Sequence, residues 1–280
     1  MIKKTGVLYV VATPIGNLAD ITGRACRVLA DVQLIACEDT RHSRPLLRHL
    51  GLDKPLVALH EHNENATAAR LLALLAEGED IALISDAGTP LISDPGFVLV
   101  RAARAQGLTV VPVPGPSALI CALSAAGLPS DRFLFLGFPP RTDSARHGWL
   151  AGLADEPGTL ICYESGRRAV ATLRAMADAF GPRPAVVARE LTKRFETFLC
   201  AELPALAEQI QADSEQQLGE LVILVEGDRR DVDQRDWAEQ QRVFEILADE
   251  LPLKQAVGLA ARITGGNRNR LYKQALAAKE

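Results

Sequence analysis

The sequence predicts an α/β protein: two sheet-bearing domains followed by a small helical unit. Three observations lead there. Over the first 127 residues, short β-rich apolar runs alternate with helical patterns. A second set of strands, two of them paired as a hairpin, follows. Beyond Gly227 the composition turns polar and then helical. A chain of 280 residues exceeds what one core comfortably fills, and 48% hydrophobic with 24% charged residues is ordinary for a globular protein.

The strand candidates of the first domain (1–127) are Val7–Ala12, Val32–Cys37, Leu56–Leu59, Ile81–Ser85 and Leu108–Val113. They are continuously apolar rather than alternating, and helical stretches separate them. That combination indicates a parallel sheet covered on both faces. One helical stretch runs from Asn65 to Gly78. Another runs from Pro95 to Gly107, with proline at its start and glycine at its end. A third spans Ser117–Ala126, and Gly127-Leu-Pro-Ser marks the boundary to the next domain.

The second domain (128–227) carries strand candidates Phe133–Leu136, Thr159–Tyr163, Ala185–Arg189, Glu196–Cys200 and Glu220–Val225. Ala185–Arg189 and Glu196–Cys200, joined by a short polar link, read as a hairpin, so this sheet is expected to be mixed. Its clearest helix is Arg167–Phe180, with Ser165 as candidate N-cap and Gly181 closing it. DRRDVDQRD after Gly227 reads as a polar linker to a helical unit at 236–280. There Ala256, Leu259, Ala260 and Ile263 recur on one helical face, and Gly265-Gly266-Asn267 interrupts the pattern. Two helices around such a turn suit either a helix-turn-helix or a helical hairpin packed on the parent domain.

Several classes are excluded or disfavoured. The opening apolar run, Val7 to Ala12, is too short for a signal-peptide core or a membrane span, and no later run reaches the roughly 18 apolar residues a span needs. The five cysteines (26, 37, 121, 162 and 200) are scattered and never in a CxxC pair. A disulfide framework or zinc cage is therefore not expected, and a reduced, cytoplasmic compartment fits. Net charge is −4, but the charge is uneven: residues 252–280 hold six basic residues against Glu280 alone. Such a tail suits a polyanion or, equally, a solvated helix face.

In parallel sheets, ligands bind outside the carboxyl ends of the strands. Five loops meet that edge: Thr13–Asp20, Glu38–Arg44, His60–Glu64, Asp86–Gly96 and Pro114–Ser117. One would be ordinary turn chemistry; five at the same edge mark a site. They lack GxGxxG and GxxxxGK[ST], so neither a dinucleotide nor an ATP phosphate cradle is supported. They offer close backbone approach at Gly88 and Gly115, rigid turns at Pro14, Pro90, Pro114 and Pro116, and hydroxyls at Thr89 and Ser117. That suits a ligand held by its polar edges without a large phosphate charge. S-adenosylmethionine is one such ligand among many.

The strings ATPIGNLADIT (12–22), CEDTR (37–41), SDAGTPLISDPG (85–96), PGPSA (114–118) and ARELTKRFE (188–196) resemble one family in order, spacing and combination. It is the ribosomal RNA small-subunit methyltransferase I family, within the tetrapyrrole-methylase superfamily. The resemblance covers residues 7 to about 227, and the basic tail resembles the family's C-terminal helix-turn-helix. It implies a two-domain tetrapyrrole-methylase-like fold and S-adenosylmethionine-dependent 2′-O-methylation of a cytidine ribose in the decoding region of 16S rRNA. It further implies a homodimer, 16S rRNA or the small ribosomal subunit as partner, and a cofactor cleft between the two domains. The cofactor positions it assigns here are Gly88, Thr89, Leu91, Ile92, Ser117, Ala118, Tyr163 and Ala188, to which Pro14 of the first loop is added. Where the tetrapyrrole enzymes carry GxGPGD and GDP, this chain has Pro14-Ile-Gly-Asn and Gly88-Thr-Pro90, which argues against a porphyrin-type substrate.

Methyl transfer to a ribose hydroxyl is an in-line displacement that needs alignment, plus a base or cation near a weakly acidic oxygen. Asp39, Glu190 and Lys193 are the catalytic candidates: Lys193 to lower the hydroxyl pKa, a carboxylate to take the proton. Asp39 is equally placed to serve as the carboxylate at a helix start, and Lys193 as a solvated turn charge. Arg41, Arg44 and Arg48 on a helix with Ser43 as candidate cap, and Arg268 and Arg270 in the tail, are the RNA-binding candidates. His60-Glu-His62 has no evident third ligand, so no metal is expected. Two other readings stay open on the residues alone: an α/β ligand sensor whose tail reads duplex DNA, and an enzyme acting on a small cyclic substrate.

Overall fold

A computed structural model describes residues 5–60, 63–229 and 232–277. The first sheet holds β1 (Val7–Val11), β2 (Leu34–Cys37), β3 (Leu56–Ala58), β4 (Ile81–Ile84) and β5 (Thr109–Val113). Their order is β3-β2-β4-β1-β5, and every adjacent pair is parallel. Helices α1 (Gly23–Asp31), α2 (Thr40–His49), α3 (Glu64–Glu77) and α4 (Phe97–Ala105) connect the strands, and α5 (Ala118–Ala125) follows β5. One face of the sheet packs Leu8, Ala36 and Leu83 against Leu71, Leu75 and Leu99 of α3 and α4. The other packs Val11, Ile35 and Ile84 against Ala25, Leu29 and Leu47 of α1 and α2. Burial on both faces is why these strands are almost continuously apolar, exposed Thr109 at the start of β5 excepted.

The second sheet holds β6 (Phe133–Phe135), β7 (Thr159–Ser165), β8 (Pro184–Arg189), β9 (Thr197–Glu202) and β10 (Glu220–Val225) in the order β6-β7-β10-β8-β9. It is mixed: β6 and β7 are parallel, and the remaining pairs, the β8–β9 hairpin among them, are antiparallel. Along β10, Leu221, Ile223 and Val225 face α6 (Asp143–Ala151), α7 (Gly166–Phe180) and α8 (Leu203–Ala212). Val222 and Leu224 face α5 instead. This two-residue alternation turns one face of the second sheet towards α5 and the rim of the first sheet.

Residues up to Gly227 form one compact unit and those from Asp228 a second. The second contains α9 (Val232–Ala248), α10 (Leu253–Thr264) and α11 (Arg268–Ala277) around Val243, Val257, Ala260 and Leu271. Helix begins at Val232, within the stretch read as a linker, so the polar residues there are the start of α9. The inward face of α10 also differs from the expected one. Ala256, Val257 and Ala260 are buried, whereas Leu259 and Ile263 are exposed, because the contacts to α9 and α11 fall on the Val257 side. No helix among the described residues is long and apolar enough to cross a membrane.

Candidate active site

The loop after β1 is fastened to the loop after β4. Thr13 and Gly88 exchange both backbone hydrogen bonds, at 2.8 and 3.1 Å. Gly88 has φ +81°, and a Cβ there would meet Ile15 Cγ2 at 3.3 Å, so glycine is what the crossing accepts. The loop after β4 is tied in turn to the loop after β5, since the Thr89 hydroxyl donates to Pro116 O at 2.9 Å. Tyr163 of β7 completes the frame: its hydroxyl accepts from Leu119 N, in the first turn of α5, at 3.2 Å. Four elements from both sheets thus hold one rim.

Below that rim lies a cavity of about 480 Å³. Of the residues assigned to the cofactor, Gly88, Thr89, Ile92, Ser117, Ala118, Tyr163 and Ala188 line it. Pro14 and Leu91 do not; the wall is formed by the adjacent Ile15, and Leu91 packs on the first sheet's core. Leu91 has φ +72° and Ser93 φ +70°, left-handed values that cost free energy in residues with a Cβ and reset which side chains of this loop face inwards. The turn brings Ser93 and Asp94 to the cavity. Further lining residues outside the assigned cofactor and catalytic positions include Glu38, Asp86, Phe138, Glu164, Leu191 and Val222.

Lys193 also lines the cavity, between two carboxylates: its ammonium lies 2.9 Å from Glu190 Oε1 and 2.9 Å from Glu220 Oε2. Burial by itself would lower its pKa. The hydrogen bonds and charges of Glu220 and Glu190 outweigh that and hold it above the ordinary lysine value. Glu190, at φ +50°, stands behind the lysine. Burial would raise its pKa, but the Glu220 backbone N–H and then Lys193 draw it below the usual value.

Asp39, expected beside these two, lies elsewhere. It lines a second, shallower depression with Arg41, His42 and His60. Its carboxylate is the N-cap of α2, accepting from Arg41 N at 2.8 Å, and it is chelated by the Arg41 guanidinium, with one contact at 2.6 Å. The Arg41 side chain first and its backbone N–H second hold Asp39 well below the usual carboxylate range. Ser43 is therefore not the cap; it sits one turn inside α2 and its hydroxyl donates back to Asp39 O at 3.2 Å. Glu38 and Asp86 line both depressions, and His42 Nδ1 lies 2.9 Å from Asp86 Oδ2.

Asp94 has a different environment. Burial first, then the Glu38 charge, and to a lesser extent Asp86, push its carboxyl up to about 7 against the pull of the Ser85 hydroxyl. Glu164, by contrast, is buried and saturated by Ser165 N, Thr172 Oγ1 and Arg168 at 2.8, 2.7 and 3.2 Å. Arg41, Arg44 and Arg48 are exposed on α2. Arg268 and Arg270 are exposed on α11, where the Arg270 guanidinium stacks 4.1 Å from the centre of the Trp237 ring. His62 lies outside the described residues, and no cluster of three metal-ligating side chains occurs among them.

Comparison with known proteins follows the same division of the chain. A family model described as Tetrapyrrole (Corrin/Porphyrin) Methylases matches residues 7–207, and one described as RsmI C-terminal HTH domain matches residues 234–279. The chain is 55% identical over 273 residues to a Pseudomonas aeruginosa protein named ribosomal RNA small subunit methyltransferase I, covering 97% of each. It is 51% identical to the Escherichia coli O157:H7 protein of that name, over 97% of this chain and 95% of the relative. Among solved structures, a diphthine synthase superposes with a TM-score of 0.59 at 15% identity, covering 79% of this chain and 90% of that one. The methyltransferase CobJ gives 0.59 at 20% identity, over 81% and 97%. At such identities the structures speak for the fold.

Proposed function

The chain belongs to the ribosomal RNA small subunit methyltransferase I family, and from that membership we propose that it methylates the 2′-oxygen of a cytidine ribose in the decoding region of 16S rRNA. It is an S-adenosylmethionine-dependent methyltransferase acting on small-subunit ribosomal RNA. The sugar oxygen, the nucleotide, a homodimeric assembly and a cytoplasmic setting are the parts proposed.

The observation that carries the reading is the cavity at the carboxyl edge of the first sheet. Its volume falls in the range of small-molecule sites, roughly 300–1,000 Å³. Its residues fit the cofactor. Ile15, Ile92, Leu191 and Val222 give an apolar floor for a purine, while Glu38, Asp86 and Asp94 complement the charge of a sulfonium and an ammonium. When bound, S-adenosylmethionine supplies an electrophilic methyl group.

The chain's own residues do the rest. The Thr13–Gly88 and Thr89–Pro116 hydrogen bonds fix the rim, so alignment is built before substrate arrives. Lys193, kept charged by Glu190 and Glu220, stabilises negative charge developing on the ribose oxygen. Asp39 shapes the start of α2 and presents Arg41, Arg44 and Arg48 to phosphates. Arg268 and Arg270 add two exposed cations to the C-terminal unit.

Incubation with labelled S-adenosylmethionine and either free rRNA or small subunits from a strain lacking the enzyme tests the proposal. The label is expected on one cytidine, resistant to base removal and protecting the 3′ phosphodiester from alkali. Label on a base, or on neither RNA, would overturn it.

A further inference from the structure

Resting on that reading, we propose that Phe138 is the stacking platform on which the base of the target nucleotide lies while its ribose meets the cofactor. Drawing one nucleotide of a folded RNA into an enzyme cavity parts its base from its stacked neighbours. Aromatic side chains replace that lost stacking where proteins recognise splayed-out bases. Phe138 lines the cavity and is 59% exposed, so its ring stands at the mouth, open to solvent. Phe97 and Phe195 are similarly exposed, but neither lines the cavity, and each has an arginine guanidinium over its ring.

The ring is held in place from several sides. Gly137, just before it, has φ +65°, and its carbonyl accepts from Tyr163 N at 2.9 Å, which extends the pairing of β6 with β7 past Phe135. The Tyr163 ring meets Phe138 edge-on, with centroids 5.6 Å apart and planes at 63°. Just after it, Pro139 is buried, and the Pro139 and Pro140 carbonyls accept from Arg168 at 2.7 and 3.0 Å. Arg168 is paired in turn with buried Glu164 at 3.2 Å, and buried Arg146 donates to Pro140 O at 3.5 Å. Taking charged groups out of water costs free energy. Leaving a phenylalanine in water forgoes the gain of burying it. Both costs fall on one short loop, as expected of a contact preorganised for a ligand.

Phe138 and Lys193 line the same cavity. One nucleotide is therefore seated with its base on the ring and its sugar towards the lysine that stabilises charge on the attacking oxygen. The platform also abuts the loop after β4, because a Cβ on Gly137 would stand 3.6 Å from Ser93 Oγ. The purine of the cofactor lies elsewhere, on the apolar floor of Ile15, Ile92, Leu191 and Val222. Stacking uses the π-face that every base has. The contact therefore sets where the sugar lies and leaves the choice of cytosine to polar groups.

The test is methylation of small subunits from a strain lacking the enzyme, at saturating S-adenosylmethionine, alongside calorimetry of cofactor binding to the free protein. Phe138→Ala should lower kcat/KM for the subunit about tenfold or more, while cofactor affinity stays within about threefold of wild type. Phe138→Tyr and Phe138→Trp should keep kcat/KM within about threefold of wild type. Phe138→Leu, which keeps apolar bulk without a π-face, should be as impaired as the alanine variant. A leucine variant as active as wild type overturns the proposal, because bulk alone would then suffice. A loss of cofactor affinity that matches the loss in kcat/KM also overturns it, by giving the ring to the cofactor's purine. So does an alanine variant whose kcat/KM stays within about threefold of wild type. Absence of methylation by wild type would instead sink the functional reading beneath it.

Discussion

A Cβ placed on Gly16 would stand 2.5 Å from Lys193 Cγ. The loop after β1 therefore lies directly on the stem of the lysine that the β8–β9 link sends into the cavity. The obstacle is the near end of the side chain, which cannot swing aside without moving the ammonium. Gly16→Ala is expected to lower the saturated methylation rate about tenfold or more, because small misplacements of a catalytic group are costly. Its melting temperature should change little. An unaltered rate would mean that Lys193 has another route to the same position.

Lys193 depends on its two carboxylates as well as on its packing. Because its pKa is held above the ordinary lysine value, it stays charged throughout the pH range in which the enzyme works. Lys193→Met should therefore reduce the rate by a similar factor at every pH, without creating or removing an inflection. Glu190→Gln should act more mildly, since Glu220 still contacts the ammonium at 2.9 Å. A pH-dependent deficit in Lys193→Met would contradict a fixed positive charge.

The architecture was legible because burial leaves a strong mark on sequence. Continuous apolar runs such as Ile81–Ile84 and Leu221–Val225 belong to strands covered on both faces. Short amphipathic helices were less visible. The helix α1 has only Ala25 and Leu29 fully buried and left no readable apolar pattern, although the Thr22 hydroxyl caps it by accepting from Ala25 N at 3.1 Å. For the site, the loops could be read but the inward-facing residues could not. Nothing in PLISDPG announces that Leu91 and Ser93 adopt left-handed backbone, since residues with a Cβ rarely do. That one conformational fact sends Leu91 to the core and Asp94 to the cavity. The cap role of Asp39 is one of two readings open from the sequence, whereas its chelation of Arg41 is not legible there, because Ser43 reads as the cap of α2.

Tyr163 joins the two sheets through a single acceptor. Tyr163→Phe leaves Leu119 N without its partner while keeping the edge-on packing of the ring against Phe135 and Phe138. The loss of a half-buried bond of this kind costs about 1–2 kcal/mol. A lower melting temperature, and weaker S-adenosylmethionine binding as the start of α5 loosens, are expected by calorimetry. Unchanged values for both would show that α5 is fixed by its apolar contacts alone.

The exposed arginines of α2 should act through phosphate. In Arg44→Ala plus Arg48→Ala, the slope of log binding constant against log salt is expected to flatten by about one to two units, with the rate at saturating RNA largely kept. Arg41 is left out of this pair because its guanidinium also holds Asp39. An unchanged slope would assign the two side chains to solvent.

Asp94 makes the fold less stable as pH rises, and the sign follows from where the proton sits. In the unfolded chain its carboxyl ionises near 3.8, whereas in the folded protein burial and Glu38 push it up to about 7. Between those values the native state keeps a proton that the unfolded state has lost. Stability therefore declines across that interval and the full penalty is present above it. Asparagine cannot ionise, so Asp94→Asn should match the wild-type melting temperature near pH 4 and exceed it near pH 8. A carboxylate kept at the cavity in a setting that lowers stability is what selection for function over stability produces. Melting curves that run parallel across pH would show that Asp94 titrates as an ordinary surface carboxylate.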